Sequence, residues 1–330
     1  MKVLFLGGTG IISTSSSRLA VERGMDIYLL NRGTRDVLVS GAKLLLGDVS
    51  RPDELAGVLA EHRWDCVVDW IAYRPSDVER DLRLFAGRTD QYVFISSASA
   101  YQKPLRHPVV TESTPLANPY WKYSRDKIDC EELLMAAYRR DGFPVTIVRP
   151  SLTYDETNIP VAIGSWTDYT IVDRMKKGLP VIVHGDGTSL WTITHADDFA
   201  KGLVGLLGHH QAIGQAFHIT SDELLTWDQI YQAVAHAAGV EAKIVHVPSD
   251  LIVRFDESQR GNLLGDKAVS VIFDNSKIKR FVPGYQATIP FHVGIRRTME
   301  WFQADPSRMR IVEANNALID RVLAVYGKAC

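Results

Sequence analysis

Apolar positions along the first half of the chain follow two alternating patterns. Short unbroken apolar runs fall at 2–7, 25–30, 43–46, 66–71, 91–96 and 145–149. Strands buried on both faces read this way, whereas half-exposed strands alternate apolar with polar. Between these runs, apolar residues return every three or four positions over 14–23, 52–62, 75–88 and 120–140, the spacing of one helix face, and Gly24 closes the first of them. The repeated strand–helix order predicts an α/β fold built on a doubly wound parallel sheet with right-handed crossovers. Such sheets bind ligands at the carboxyl ends of their strands, so chemistry is expected in the residues that follow each run.

Past Pro150 the alternation loosens. Residues 153–170 mix Pro, Gly, Asn and Asp with aromatics, and "KKGLPVIVHGDG" supplies a further strand and turn. Helical spacing returns at 197–207 and 227–238, ahead of a strand-like 243–247. This predicts two interleaved lobes: a nucleotide-binding unit over 1–152 plus about 188–225, and a smaller C-terminal α/β substrate lobe over about 153–187 plus 226–330. The amphipathic stretch 314–326 is expected to pack on the body or on a subunit partner rather than on a membrane.

Composition narrows the class. The 330 residues are 46% hydrophobic and 23% charged with net charge −2, which argues against nucleic acid or an anionic membrane as the main partner. Cys66, Cys130 and Cys330 lack metal-ligand spacing, as do the histidines, so reduced thiols, a cytoplasmic location and no metal site are expected. No signal peptide fits the start, and no apolar run approaches the roughly 20 residues of a membrane span.

The candidate chemistry starts at "GGTGIISTSSS", residues 7–17, directly after the first run. Gly7, Gly8 and Gly10 open a helix there; without Cβ atoms, backbone N–H groups and the helix start can approach a pyrophosphate. Ser13 stands where a third glycine would serve close packing. The second strand ends in Asn31-Arg32 with no acid to bind a ribose 2′-hydroxyl; Arg32 and Arg35 can instead clamp a 2′-phosphate, which tilts the cofactor from NAD towards NADP, or they are plain surface arginines. Asp48 in "GDVS" is either a partner for the adenine amino group or part of a helix-capping region. In "NPYWKYSRDKIDCEELL", Tyr123 and Lys127 lie four apart on one helix face, where an ammonium lowers the phenol pKa towards that of a general acid–base. "FISSASAY" supplies the hydroxyls of Ser96, Ser97 and Ser99 at a strand end. Asp197-Asp198 reads as a helix start.

Together with "VRPSLTY", "TITHADDFA", "FDNSKIKRF" and "GIRRTMEWF", these segments resemble, in order, the extended short-chain dehydrogenase/reductase superfamily in its NAD(P)-dependent epimerase/dehydratase branch. The resemblance implies a Rossmann-type domain, a homodimer, and hydride transfer at a secondary hydroxyl or keto group of a sugar or sugar nucleotide. It places the substrate oxygen on Ser97, counted back from Tyr101, proton exchange on Tyr123, and phenol tuning and ribose binding on Lys127. It assigns cofactor contacts to Gly7, Gly10, Ile11, Ile12, Val49, Ala72, Ser96 and Pro150. Two departures stand out. The acid–base pair of the dehydratases is replaced by Ala98 and Ser99, which disfavours water elimination. The arginine that grips a substrate diphosphate, four residues before His195, is Trp191; Arg260, Lys267 or Arg296-Arg297 are the remaining cations for that task, and Trp191, Trp166 and Tyr154 are expected as a substrate wall beside Tyr73 and Ser99. The alternatives are an NADPH-dependent reductase or dehydrogenase without epimerisation, and a non-catalytic dinucleotide-sensing or RNA-associated protein.

Overall fold

A computed structural model of the chain describes residues 1–33, 39–59 and 62–329; Arg35 and Cys330 lie outside the described residues. Seven parallel strands form the main sheet: β1 (Lys2–Leu6), β2 (Asp26–Asn31), β3 (Lys43–Leu46), β4 (Cys66–Asp69), β5 (Tyr92–Ile95), β6 (Val145–Pro150) and β7 (Ala216–Ile219). Their order across the sheet is β7-β6-β5-β4-β1-β2-β3. The direction of winding reverses between β1 and β4, and the crevice above that point is where such a sheet takes a ligand.

Each predicted strand run overlaps an observed strand, with ends that differ by at most two residues. Every residue of β4, β5 and β6 is buried, as unbroken apolar runs require. β3 departs from that expectation: Leu44 and Leu46 are 52% and 63% exposed, because this strand forms the outer edge of the sheet. Alternate residues of the central strands feed two cores. Val3, Phe5, Val68 and Val93 meet Phe199 and Leu203 on one face, while Leu4, Leu6, Val67 and Phe94 meet Val78, Phe85 and Leu134 on the other.

The helices over these faces are α1 (Ile11–Glu22), α2 (Pro52–Leu59), α3 (Pro75–Phe85), α4 (Lys122–Asp141) and, after α5 (Thr170–Lys176), α6 (Ala196–Leu206). α1 starts three residues before the apolar spacing predicts. Gly10 is its cap, and the Ser13 hydroxyl accepts the Gly10 N–H at 2.7 Å, half of a capping box that a periodicity argument does not see. Ser13, Ser15, Ser16 and Ser17 are buried, and these small side chains let α1 lie closely on α6.

A third core is built mainly from residues after Pro150. Ile159, Val181, Val183, Trp191, Tyr231 and Phe302 fill it together with Trp227 of α7 (Trp227–Ala237). The C-terminal helix Glu313–Ala329 closes it with Leu318, Ile319 and Val322, so its apolar face packs on the body of this chain. Among the described residues, no helix is long and apolar enough to cross a membrane.

One buried ion pair locks α4 to the sheet. Arg149 of β6 donates from Nε to Glu131 Oε1 at 2.9 Å and from Nη2 to Oε2 at 2.5 Å, with both side chains at most 5% exposed. Its guanidinium lies 4.8 Å from the Tyr101 ring centroid, and Ser96 donates to the same carboxylate. Removing one partner leaves the other charge buried alone. Glu131→Ala should therefore lower the free energy of unfolding by about 3–5 kcal/mol, and Glu131→Leu combined with Arg149→Met should recover most of that loss; urea denaturation of the variants checks both.

Candidate active site

β1 runs into Gly7 and Gly8 at φ +97° and +92°, the left-handed region that glycine tolerates. A Cβ on Gly8 would stand 2.6 Å from Leu29 Cδ2, and one on Gly7 3.2 Å from Ile71 Cγ2. Ser17 donates to the Gly8 carbonyl at 2.9 Å and holds the turn from below. The turn delivers the start of α1 to a cleft of about 910 Å³ at the carboxyl ends of the strands. A glycine backbone lining the cleft at a helix start fits a dinucleotide pyrophosphate. Ser13 is buried and keeps the turn closed through Gly10, the packing duty expected of a third glycine.

The residues expected around a cofactor converge on this cleft. Gly7, Gly10, Ile11 and Ile12 line its floor; Asn31, Arg32, Asp48 and Val49 line one end; Ser96, Tyr123, Lys127 and Pro150 line the other. Asn31 Oδ1 accepts the Gly33 N–H at 2.9 Å, which leaves Arg32 at the rim. Asp48 accepts from the Ser50 N–H and hydroxyl at 2.9 and 2.8 Å, and these bonds, with a smaller pull from Arg32, hold its carboxyl below the usual carboxylate value.

Ala72 is the exception. It is 1% exposed and lies behind a wall formed by Trp70, Ile71 and Tyr73. The buried Asp69 carboxylate accepts the N–H groups of both Ile71 and Ala72, at 2.6 and 2.8 Å, and draws that turn inward.

The three residues expected to carry the chemistry meet where β5 ends and α4 begins. Asn118 builds the corner. Its Oδ1 accepts the N–H groups of Tyr120 and Trp121, while its Nδ2 donates to the carbonyls of Ser99 at 2.8 Å and Gly265 at 2.7 Å. Ser97 Oγ lies 2.8 Å from Ser99 Oγ, which accepts from Ser124 at 2.7 Å. Burial pushes the Tyr123 phenol up to about 12, opposed by a hydrogen bond with Ser97.

Lys127 donates to the carbonyls of Ala72 and Ile95, both at 2.7 Å, and burial draws its pKa down to about 8 against the pull of Asp69. Its ammonium stands 5.9 Å from the Tyr123 ring centroid. The expected lowering of the phenol by Lys127 is therefore not what this geometry does. The amine is held by two strand-end carbonyls, and burial governs Tyr123.

A second chamber of about 250 Å³ adjoins the cleft at Ser97, Tyr123, Pro150 and Trp166. Of the expected substrate residues, Tyr73 and Trp166 line the cleft and Ser99 the chamber. Tyr154 and Trp191 do not form a substrate wall. They are 1% and 2% exposed, Tyr154 edge-on to His195 and Phe291 and Trp191 against Trp227 with centroids 5.7 Å apart. Both belong to short strands, Leu152–Tyr154 and Leu190–Trp191, that point these rings into the third core. Arg260 is also displaced, paired with Glu257 at the surface.

Trp121, Asp266 and Lys267 take their place in the chamber. Trp121 was legible from its position two residues before Tyr123. Asp266 and Lys267 sit in a π-helical turn, Leu263–Lys267, which no apolar period announces. Away from the cleft lining, Glu156, His195 and Asp197 lie close together; His195 Nδ1 accepts the Asp197 N–H at 3.2 Å as the cap of α6, so Asp197-Asp198 begin a helix as expected.

A family model described as the NAD dependent epimerase/dehydratase family matches residues 3–220. The chain belongs to that family. Among its relatives, 2′-dehydrokanamycin reductase of Streptomyces kanamyceticus is 27% identical over 292 residues, covering 87% of this chain and 80% of that protein. Chloroplast stem-loop binding protein of 41 kDa b from Arabidopsis thaliana is 27% identical over 260 residues, 74% of this chain and 65% of that one. The solved UDP-glucose 4-epimerase of Bifidobacterium longum, in complex with NAD+ and UDP, superposes with a TM-score of 0.74 at 19% identity, over 93% of this chain and 100% of that one, a likeness of fold. This epimerase/dehydratase family is enzymatic and NAD-dependent.

The buried amine of Lys127 makes stability depend on pH with a definite sign. Its folded pKa of about 8 lies below the ordinary value of 10.5, so the unfolded chain binds more protons between those limits. Its cost to the fold is largest at and below pH 8 and is relieved as pH rises towards 10.5. Lys127→Met should remove up to about 1.4 kcal/mol per pH unit of rising stability across that window, measured as the difference in denaturation slopes between variant and parent.

Proposed function

We propose that this chain is an NADP-dependent oxidoreductase that reduces a ring ketone to a secondary alcohol and runs the reverse oxidation. The observation that carries the reading is the convergence of Ser97, Tyr123 and Lys127 where the cofactor cleft meets the second chamber. A bound nicotinamide supplies the hydride. The Tyr123 phenol, raised to about 12, is protonated at neutral pH, the form required of a proton donor to a carbonyl oxygen. Ser97 donates to the same oxygen, with Ser99 and Ser124 continuing the hydroxyl chain behind it. The carbonyls of Ala72 and Ile95 take two of the three Lys127 ammonium hydrogens, and the third is directed at a ribose hydroxyl.

Asn31 and Arg32 at the end of β2, with no carboxylate between them, support a 2′-phosphate on the adenosine ribose. The relative named as a reductase, matched over 87% of this chain, supports net reduction over epimerisation. The intact tyrosine–lysine pair and the net charge of −2 favour an enzyme over an RNA-associated protein.

Tyr123→Phe should lower kcat by about 10²–10⁴-fold with cofactor affinity retained, followed by NADPH absorbance on a substrate found by screening; unchanged turnover would remove Tyr123 from the proton path. Arg32→Ala should weaken NADPH on the order of tenfold to a hundredfold and leave NADH unaffected, measured by titrating both cofactors. Inversion of a stereocentre without net absorbance change would assign epimerisation instead.

A further inference from the structure

The second chamber carries an inference about what enters it. Two indoles form much of its wall, and each is fixed in place. Trp121 is seated on the segment 259–267: a Cβ on Gly261 would stand 2.3 Å from its Cδ1, and one on Gly265 3.2 Å from its Cβ. Only glycines allow that approach. Trp166 donates its indole N–H to the Val161 carbonyl at 2.8 Å, so the ring plane is set by the backbone.

The chamber lining carries one acid and one base, with a second lysine beside the acid. Asp266 and Lys267 are neighbours in the π-turn, with Lys267 Nζ 3.6 Å from Asp266 Oδ2. Lys267 also donates to Asn262, and its ammonium lies 5.7 Å from the Trp166 ring centroid. Lys103, 4% exposed, stands 3.9 Å from Asp266 Oδ1 on the carboxylate's other side. Among the described residues, no arginine lines the chamber. Arg260 is turned to Glu257, and Arg297 lies 4.0 Å from Asp197. A buried diphosphate calls for several close cationic donors, and this lining provides one carboxylate and one ammonium, which already donates to Asn262. The chamber, of about 250 Å³, has room for one substituted six-membered ring beside Ser97 and Tyr123.

We propose that the chamber takes a single uncharged, hydroxyl-rich ring, a sugar or cyclitol ring, free or at the end of a glycoside, and not a nucleoside-diphosphate sugar. An apolar C–H face of the ring lies on Trp121 or Trp166. Hydroxyls on its edge donate to Asp266 and accept from Lys267, and the reacting carbon turns towards Ser97 and Tyr123. The proposal rests on the oxidoreductase reading for the chemistry, and on the chamber alone for the ligand class.

The test uses NADP-loaded enzyme and its tryptophan fluorescence, titrated with methyl glucoside, myo-inositol, uridine diphosphate and UDP-glucose. At least one neutral ring should quench saturably, and uridine diphosphate should neither quench nor displace it. Asp266→Asn should weaken ring binding on the order of tenfold to a hundredfold while leaving NADP affinity unchanged. Trp166→Phe, which keeps an aromatic face, should bind the ring while shifting the amplitude of quenching. Saturable binding of uridine diphosphate, absence of saturation by both neutral rings, or an Asp266→Asn variant with unchanged affinity would each overturn the proposal. UDP-glucose turned over in a Tyr123-dependent manner would overturn the ligand class and leave the oxidoreductase reading standing. Ring binding without hydride exchange on any bound ring would do the reverse.

Discussion

Lys127 carries its ammonium to the tips of two adjacent strands, where the carbonyls of Ala72, just after β4, and Ile95, at the end of β5, accept it at 2.7 Å each. A charge buried this deeply persists only where fixed dipoles replace its water. Its position therefore dictates much around it. α4 must run so that its second turn faces the strand ends, which brings Tyr123, one turn earlier, level with Ser97. The turn after β4 must present the Ala72 carbonyl inward, and the Asp69 carboxylate makes it do so from two N–H groups. Asp69 is itself embedded: Tyr92 donates to Asp81 at 2.6 Å and reaches Asp69 at 3.3 Å, and Arg80 binds Asp81 at 2.8 Å. Burial, with the charge of Asp69, raises the Asp81 carboxyl well above its ordinary value. A polar network of this kind, buried beneath a ligand cleft, gives the site a single arrangement.

Much of this was legible in the residues because it depends on local patterns. The unbroken apolar runs marked the strands, and the glycines after the first run marked a turn that only glycine can make. The four-residue spacing of Tyr123 and Lys127 placed both on one face of α4. Errors arose where a residue's surroundings come from distant parts of the chain. The run 43–46 has the composition of a buried strand, yet nothing in it says that it will be outermost in the sheet. Ala72 follows a strand end as a cofactor-lining residue would, but the carboxylate of Asp69 turns it away. Trp191 and Tyr154 are large and aromatic, qualities shared by a substrate wall and a hydrophobic core. Contacts with Trp227, His195 and Phe291, far away in sequence, decided for the core.

The two halves of the site are joined by one side chain. Asn118 binds the Ser99 carbonyl of the serine turn, the N–H groups of Tyr120 and Trp121 just ahead of α4, and the Gly265 carbonyl of the π-turn. Each of its bonds satisfies a backbone group that would otherwise be buried unpaired. The serine turn and the π-turn are thus held in register by an amide that itself lines neither the cleft nor the chamber.

The π-turn over Leu263–Lys267 has a consequence of another kind. Such a turn amounts to one residue inserted into an α-helix, and one α-helical residue is about 100° of rotation. Asp266 and Lys267 of the chamber are thus carried on a feature one residue long, while the nucleotide turn and the serine turn follow strands of the main sheet. Loss or gain of that residue would re-aim these two side chains and would move Gly265, whose carbonyl Asn118 ties to the serine turn. The lining of the chamber is therefore open to change by the smallest possible alteration of chain length.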